Sequence, residues 1–515
     1  MAGVLKNAFT VGSFTALSRV MGLAREMLQS RLVGAGMEQS AFTLAFALPN
    51  MSRKLFGEGA LTAAFVPVFK GCVETDGLAE AAKLARAVVT MVMLLLGATV
   101  ALSMAGVLAA LAMAETERMT LTLQLVAILL PYTLAICGAA FGMGVLNSLG
   151  RFKAPGFVPV LLNVVWIAAL ASLAFFPQLS AAARIRLISG AILFGGILQM
   201  AFMFACMHRA GVSPALMFSG WRSERVVLVW RNLSIGALGA GAVQINYMLD
   251  QFLAQIASPW AAGVIGYAER LMDLPLGVIA VSFGTVLLPA FSGLFARGDT
   301  AGAKEVLSQS VKNQMFLMLP AAAGMFVLSG EIISVIYEGG RFGPGDTLRV
   351  ARALGVYALG LGFFGLHKAI VPWFQAQHDM KTPLKVSVAT VVVNAVLNVL
   401  AVYLLPVEWR HVGLAASTVV CALIGFVALV VLARRRNGPL GLSKVSWYVV
   451  RVAIASVLMA VVVLQVKGMT AGLHPIAALA AGVLAGAAAY GFFSLVLRTF
   501  RNPLSRRIAK GGSAR

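Results

Sequence analysis

Six basic residues stand in or beside long apolar runs: Arg19, Arg25, Arg53, Lys54, Arg270 and Lys368. A charge at the middle of a membrane-crossing helix costs ~2.5–3.5 kcal/mol, so such a group faces a hydrated cavity or a partner. Arg19 and Arg25 are six residues apart, ~9 Å along a helix, and both can line one wide cleft. Arg53 follows Leu48-Pro49-Asn50, where proline removes a backbone donor and frees groups that a cavity can hydrate. The neighbouring acids are Glu26, Glu58, Asp250, Glu269 and Asp273. Glu269, Arg270 and Asp273 are spaced to satisfy one another within a helix. Arg19, Arg25 and Arg53 have only Glu26 and Glu58 in easy reach. Guanidinium groups in excess of carboxylates match the oxygens of a phosphate. The expected ligand is an anion, a phosphate ester.

A second constellation joins Asp250 to Asn394 and Asn398, with Thr418 as a further oxygen. The two asparagines, four apart, share a helix face. Asp and Asn oxygens suit a hard cation, so a coupling Na+ or H+ is one reading. An interhelical hydrogen-bond cluster is the other. No metal is firmly expected, and no cofactor. The five histidines form no His-Glu-x-x-His, and no Gly-x-x-x-x-Gly-Lys-Ser/Thr loop occurs. Neither a zinc hydrolase nor an ATP-driven pump is indicated, and no catalytic residue is assigned.

The elements that must position these groups are membrane helices. The 515 residues are 60% hydrophobic and only 12% charged, with mean hydropathy +0.89. A soluble chain is roughly half apolar and a quarter charged. Apolar runs of about twenty residues or more, enough to cross the hydrocarbon, recur fourteen times. The first four are 7–33, 41–69, 87–113 and 120–149, and the ninth is 306–329. They are too long for barrel strands. The expected fold is an all-α polytopic membrane protein.

The formal net charge of +22 would suggest nucleic acid in a soluble chain. Here the basic residues sit in short loops, and nucleic acid is not an expected partner. On the loops that share a side with the termini they outnumber those opposite by roughly three to one, which puts both termini in the cytoplasm. Arg19 and Arg25 interrupt the first apolar run, so no cleavable signal is expected. Cys72, Cys137, Cys206 and Cys421 are scattered and read as apolar packing residues.

An internal repeat suggests the domain organisation. Phe65-Val66-Pro67-Val68-Phe69-Lys70-Gly71 pairs with Leu287-Leu288-Pro289-Ala290-Phe291-Ser292-Gly293, and Lys153-Ala154-Pro155 pairs with Lys381-Thr382-Pro383. The offsets, 222 and 228 residues, nearly agree. Residues 1–210 and 222–436 then form two six-helix lobes related by an axis along the membrane normal. Residues 444–499 add two helices, and 500–515 form a basic tail suited to the anionic inner leaflet.

The segment Ser18-Arg19-Val20-Met21-Gly22-Leu23-Ala24-Arg25-Glu26 with Gly34-Ala35-Gly36 resembles the first helix of the MurJ (MviN) lipid II flippases. These belong to the multidrug/oligosaccharidyl-lipid/polysaccharide (MOP) exporter superfamily. Leu48-Pro49-Asn50 with Arg53, Glu58-Gly59-Ala60 and Ala64-Phe65-Val66-Pro67 resembles that family's second helix. Tyr267-Ala268-Glu269-Arg270-Leu271-Met272, with Leu274-Pro275 and Leu287-Leu288-Pro289, is similar to its eighth. Asp379-Met380-Lys381-Thr382-Pro383 resembles its loop before the eleventh. The likeness spans the whole chain.

The resemblance implies a flippase in a bacterial inner membrane. It would move the undecaprenyl-diphosphate-linked peptidoglycan precursor from the cytoplasmic to the periplasmic leaflet by alternating access. It implies a V-shaped pair of lobes, with the last two helices forming a groove for the polyprenyl tail. The family's cavity arginines fall on Arg19, Arg25, Arg53 and Arg270, with Glu26, Lys54, Glu58, Glu269, Asp273 and Lys368 as supporting charges. Two positions depart from the pattern. Ser40 stands where some members carry an acid, and Asn398 where an acid would hold a cation more tightly. The implied partners are lipid II and membrane lipids, with cell-wall synthesis proteins as candidates, and a monomer is expected. One rival is a flippase for another polyprenyl-diphosphate saccharide, which would use the same arginines. A drug/cation antiporter of the same superfamily would want an acidic, aromatic cavity. A membrane transferase acting on polyprenyl phosphates would need metal-binding acids that the sequence lacks.

Overall fold

The computed structural model describes residues 2–54 and 60–499. Glu58 and the basic tail 500–515 lie outside the described residues. The described chain is helical nearly throughout. In order the helices are α1 Ala2–Val33, α2 Met37–Ser52, α3 Ala60–Ala112, α4 Glu117–Leu129, α5 Tyr132–Ser148, α6 Lys153–Ser172, α7 Ala181–His208 and α8 Glu224–Ala257. There follow α9 Ala261–Ala296, α10 Thr300–Val327, α11 Ser329–Tyr337, α12 Pro344–Gln375, α13 Lys381–Leu404, α14 Val407–Asn437, α15 Ser443–Met469 and α16 Pro475–Val496. Backbone hydrogen bonds kept within each segment are what hydrocarbon demands.

Among the described residues, nine helices are long and apolar enough to cross a membrane, or ten if one bent pair counts as a single span. Outside that set are α1, α8 and α9, which carry several of the charged candidates, and the short α2. Residues 70–86, which read as a loop between the second and third apolar runs, are helical. The stretch Gly77-Leu78-Ala79-Glu80-Ala81-Ala82-Lys83-Leu84 is rich in helix formers. Only Gly77 leaves helical geometry, at φ +84° and ψ 173°, and it kinks α3 there. The fourth run divides at Leu130-Pro131 into α4 and α5, since proline supplies no N–H to the ladder. The ninth run bends by 73° where α10 passes into α11.

The outer surface identifies the solvent. Val388, Val392, Val396, Val399 and Tyr403 are all exposed along one face of α13. An apolar stripe at three- and four-residue spacing turned outward fits lipid and would aggregate in water. Both Lys-x-Pro pieces of the repeat open a helix, α6 at Lys153 and α13 at Lys381.

The chain forms two compact units. The first holds residues 1–263 together with Gly339–Gly343; the second holds Val264–Glu338 and Pro344 onward. In the first, α5 packs on α7, α1 on α6, and α8 on α2 and α3. The short segment Gly339–Gly343 lies against the end of α1, where the Arg341 N–H donates to the Arg31 carbonyl at 2.8 Å. Gly34, at φ +87°, ends α1 there, and a Cβ on it would come within 2.9 Å of the Arg341 carbonyl. In the second unit α12 packs on α10 and α14, and α14 on α13. The last pair docks on the α10–α11 elbow: Lys467 pairs with Glu331 at 2.8 Å, and the Tyr490 hydroxyl donates to the Phe316 carbonyl at 2.6 Å.

Candidate functional site

In the first unit the predicted charges gather around α1, α2 and α6. Arg25 sits on α1 and reaches three partners at once. Its Nη2 pairs with Glu26 at 2.6 Å, its Nη1 donates to Asn163 Oδ1 at 3.0 Å, and its Cζ lies 4.1 Å from the centre of the Trp166 ring. Arg25 is therefore not the unpartnered arginine that spacing alone suggests. The guanidinium fork makes this threefold engagement possible, because its donors and its flat face act in different directions.

A polar network continues from this point through an apolar interior. Asn163 Nδ2 donates to the Ser18 carbonyl at 3.0 Å. Trp166 Nε1 donates to Gln29 Oε1 at 3.1 Å, and Gln29 Nε2 donates to Gln39 Oε1 at 3.0 Å. Gln29, Gln39 and Trp166 are fully or almost fully buried. Buried amides satisfied in this way rigidify their surroundings, since breaking any one strands a polar group in low dielectric. The Trp166 ring is fixed in turn by Phe42 and Phe46, with ring centres 5.8 and 5.7 Å away. One atom of Arg25 remains over: its Nε is buried and has no hydrogen-bond partner among the described residues.

Arg53 and Lys54 follow α2. Pro49 lies within the helix, and the last turn widens into π-helical geometry at Arg53 and Lys54, the kind of local irregularity that re-aims side chains. Arg53 donates from Nε and Nη2 to Asn50 Oδ1 at 3.3 and 3.0 Å. Lys54 Nζ lies 5.3 Å from the centre of the Tyr247 ring. Both Arg25 and Arg53 act electrostatically on the buried Tyr132. Arg19 is exposed on α1. Ser40, at the position where an acid was considered, accepts the Gly263 N–H at 2.9 Å, so a hydroxyl caps the first turn of α9.

The second unit holds the remaining charges. Glu269 and Arg270 are partly buried on α9, and Asp273 and Lys368 are exposed. The hydroxyl of the buried Tyr357 donates to Glu269 Oε1 at 3.2 Å. The residues considered for a cation divide between the units. Asp250, on α8 in the first, accepts from Asn246 Nδ2 at 3.1 Å. Asn394 and Asn398 are buried on α13 in the second, and Thr418 on the adjacent α14 donates to the Leu414 carbonyl at 3.2 Å.

Asn163, Trp166 and Tyr357 escaped the sequence reading, which followed charge, and Asn50 entered it only as part of the motif before Arg53. The lone asparagine in the apolar run 156–176, with Trp166 one turn on, is a signal that a search for neutral polar residues in such runs would catch.

A further cluster lies in the loop before α13. Arg436 pairs with Asp379 and donates to Thr382 Oγ1 at 2.9 Å, while the Thr382 N–H donates to Asp379 Oδ1 at 3.0 Å. Partial burial pushes the Asp379 carboxyl up. The bonds from Thr382 and Arg436 outweigh that and hold its pKa at about 2.

A family model described as lipid II flippase MurJ matches residues 29–496. A probable lipid II flippase MurJ of Rhizobium tropici is 34% identical over 447 residues, spanning 84% of this chain and 81% of its own. The corresponding protein of Vibrio cholerae is 32% identical over 474 residues, spanning 88% of both chains. Among solved structures, a lipid II flippase MurJ in an inward closed conformation superimposes with TM-score 0.77 at 24% identity, over 96% of this chain and 99% of its own. An inward-facing multidrug resistance MATE family transporter of the MOP superfamily follows at TM-score 0.68 and 16% identity, over 82% and 95%. At such identities the two structures speak for the fold alone.

Proposed function

The chain belongs to the lipid II flippase MurJ family, and from that premise we propose that it moves lipid II across a bacterial inner membrane. The movement runs from the cytoplasmic to the periplasmic leaflet by alternating access, with both termini in the cytoplasm. The observation that carries this reading is Arg25. An arginine on α1 is held rigidly by Glu26, Asn163 and Trp166, and Arg53 acts on the same buried Tyr132 as Arg25 does. Preorganised guanidinium groups are the side chains that best match a diphosphate. In the first unit Arg19, Arg25 and Arg53 are assigned to the substrate's phosphates, and in the second helices α15 and α16 to its polyprenyl tail. A coupling cation, Na+ or H+, is assigned to Asn394 and Asn398 on α13 with Thr418 on α14, all within the second unit. Such an ion would bias one conformation only by binding it better than the other. No covalent step is needed, and none is assigned.

The test is replacement of the essential lipid II flippase by this chain in a cell depleted of its own. Wild type should restore growth and surface exposure of lipid II. Arg53→Ala should insert and accumulate but restore neither. Growth without exposure of lipid II, or full rescue by Arg53→Ala, would overturn the assignment.

A further inference from the structure

Helices α5, α6 and α7 all belong to membrane-crossing segments of the first unit. At their common end, α5 turns through Gly150 into α6, and α7 finishes beside the turn. A cavity of about 360 Å³ opens there, lined by Arg151, Lys153 and Arg209 and floored by Leu146, Phe152 and Cys206. No carboxylate is among its lining residues. All three cations are exposed. Arg151 Nη1 makes one long bond, 3.4 Å, to the Arg209 carbonyl, which leaves most of its donors for a ligand.

Three like charges around one mouth repel one another, and a bound anion would relieve that repulsion. The N-terminus of α6 adds to the positive field: it opens at Lys153, and Phe152 before it supplies no side-chain cap. Position narrows the ligand further. The cavity lies at the shared end of three candidate membrane spans, with a basic rim and an apolar floor. Basic pockets of this kind between membrane helices hold anionic lipid head groups. Arg25 and Arg53 do not line it, so this is a separate site from the one assigned to the substrate.

We infer that this cavity binds the phosphate of an anionic phospholipid, its glycerol and first acyl carbons resting on Leu146, Phe152 and Cys206. On the orientation proposed above, the lipid belongs to the inner leaflet. A soluble phosphate shares the head-group chemistry but would leave the apolar floor uncovered.

The test is native mass spectrometry of the full chain in mild detergent, titrated with phosphatidylglycerol, phosphatidylcholine or inorganic phosphate. The measurement involves no translocation, so its outcome is independent of whether the chain flips lipid II. Combining Arg151→Gln, Lys153→Gln and Arg209→Gln should weaken phosphatidylglycerol binding about a hundredfold, each basic residue near a lipid surface contributing about fivefold. Pairing Lys381→Gln with Lys385→Gln, two exposed cations at the start of α13, should change nothing. Arg151→Lys with Arg209→Lys keeps the charge and should keep most of the binding, which guards against a variant that merely misfolds. Equal phosphatidylglycerol binding by the triple variant, or equal binding of phosphatidylcholine by wild type, would overturn the site. Displacement of the lipid by millimolar inorganic phosphate would overturn its assignment to a lipid.

Discussion

Arg25 stands both in an ion pair and in the proposed phosphate site, and a double substitution separates the two roles. The side chains of Arg25 and Glu26 are only 18% and 7% exposed. Arg25→Ala removes the guanidinium paired with the nearly buried Glu26, a change that costs up to about 3–5 kcal/mol. It also removes the charge-assisted bond to Asn163, worth about 1.5–3 kcal/mol, and the contact with the Trp166 face, up to about 2 kcal/mol. These losses share one side chain and do not add, so about 4 kcal/mol is expected in all. Adding Glu26→Gln to Arg25→Ala removes the buried charge that Arg25 no longer balances and should return about half of the lost stability. It cannot restore a phosphate ligand. Thermal unfolding in detergent should therefore rank wild type, then the double variant, then Arg25→Ala. Lipid II exposure in the depleted cell should be lost in both variants. Recovery of transport by the double variant would show that Arg25 serves only to neutralise Glu26. An Arg25→Ala variant as stable as wild type would refute the pairing itself.

Other consequences follow from the same geometry. Asn163→Ala should weaken lipid II binding about tenfold, equivalent to about 1.4 kcal/mol, by releasing one arm of Arg25, and a binding titration on purified protein reads this directly. Asp379 is held at about 2, below its ordinary carboxylate value, so its contribution to stability is complete above about pH 4 and disappears as pH falls through about 2. The difference in melting temperature between wild type and Asp379→Asn should be largest at neutral pH and should close along that interval. A cysteine at Ala471, between α15 and α16, should react with an impermeant thiol reagent from outside the cell, and one at Gly438 should not; the reverse would overturn the orientation. Collapsing the membrane potential in vesicles while keeping a pH gradient should stop lipid II exposure, and continued exposure would exclude a voltage-driven return.

The membrane class and most helices were legible because hydrocarbon imposes a simple rule: long apolar runs must be helices. The rule fails where a run stops being uniform. Residues 70–86 contain charges and so read as a loop, yet their helix-forming composition carries α3 straight through them except at Gly77. The charged members of the site were legible because a charge in an apolar run is costly and therefore conspicuous. Asn163, Gln29 and Gln39 were not, because a neutral amide costs little in sequence terms. Its importance comes from the partner it meets, and the partners of Arg25 and Gln29 on α6 are more than 130 residues distant in the chain. Sequence spacing reveals pairs within one helix; pairs between helices need the fold.

Charge balance links the arginine frame to the direction of transport. Counting Glu58, the residues Arg19, Arg25, Arg53 and Lys54 exceed Glu26 and Glu58 by two positive charges. A diphosphate carries roughly two negative charges, and each elementary charge that crosses 100 mV is worth about 2.3 kcal/mol. On the proposed assignment this group of side chains would be close to neutral when loaded, and an inside-negative potential would oppose its movement little. Unloaded, the same group would be cationic, and the proposed voltage-driven return follows, since the potential would draw it toward the cytoplasmic side. The pairing of Arg25 with Glu26 is part of this balance. Without Glu26 the excess would be three, and a bound diphosphate would leave a net positive charge to be carried outward against the field. A carboxylate beside the proposed phosphate site would be costly for binding the anion, but it would tune the loaded state toward neutrality while Arg25 stays fixed by Glu26, Asn163 and Trp166.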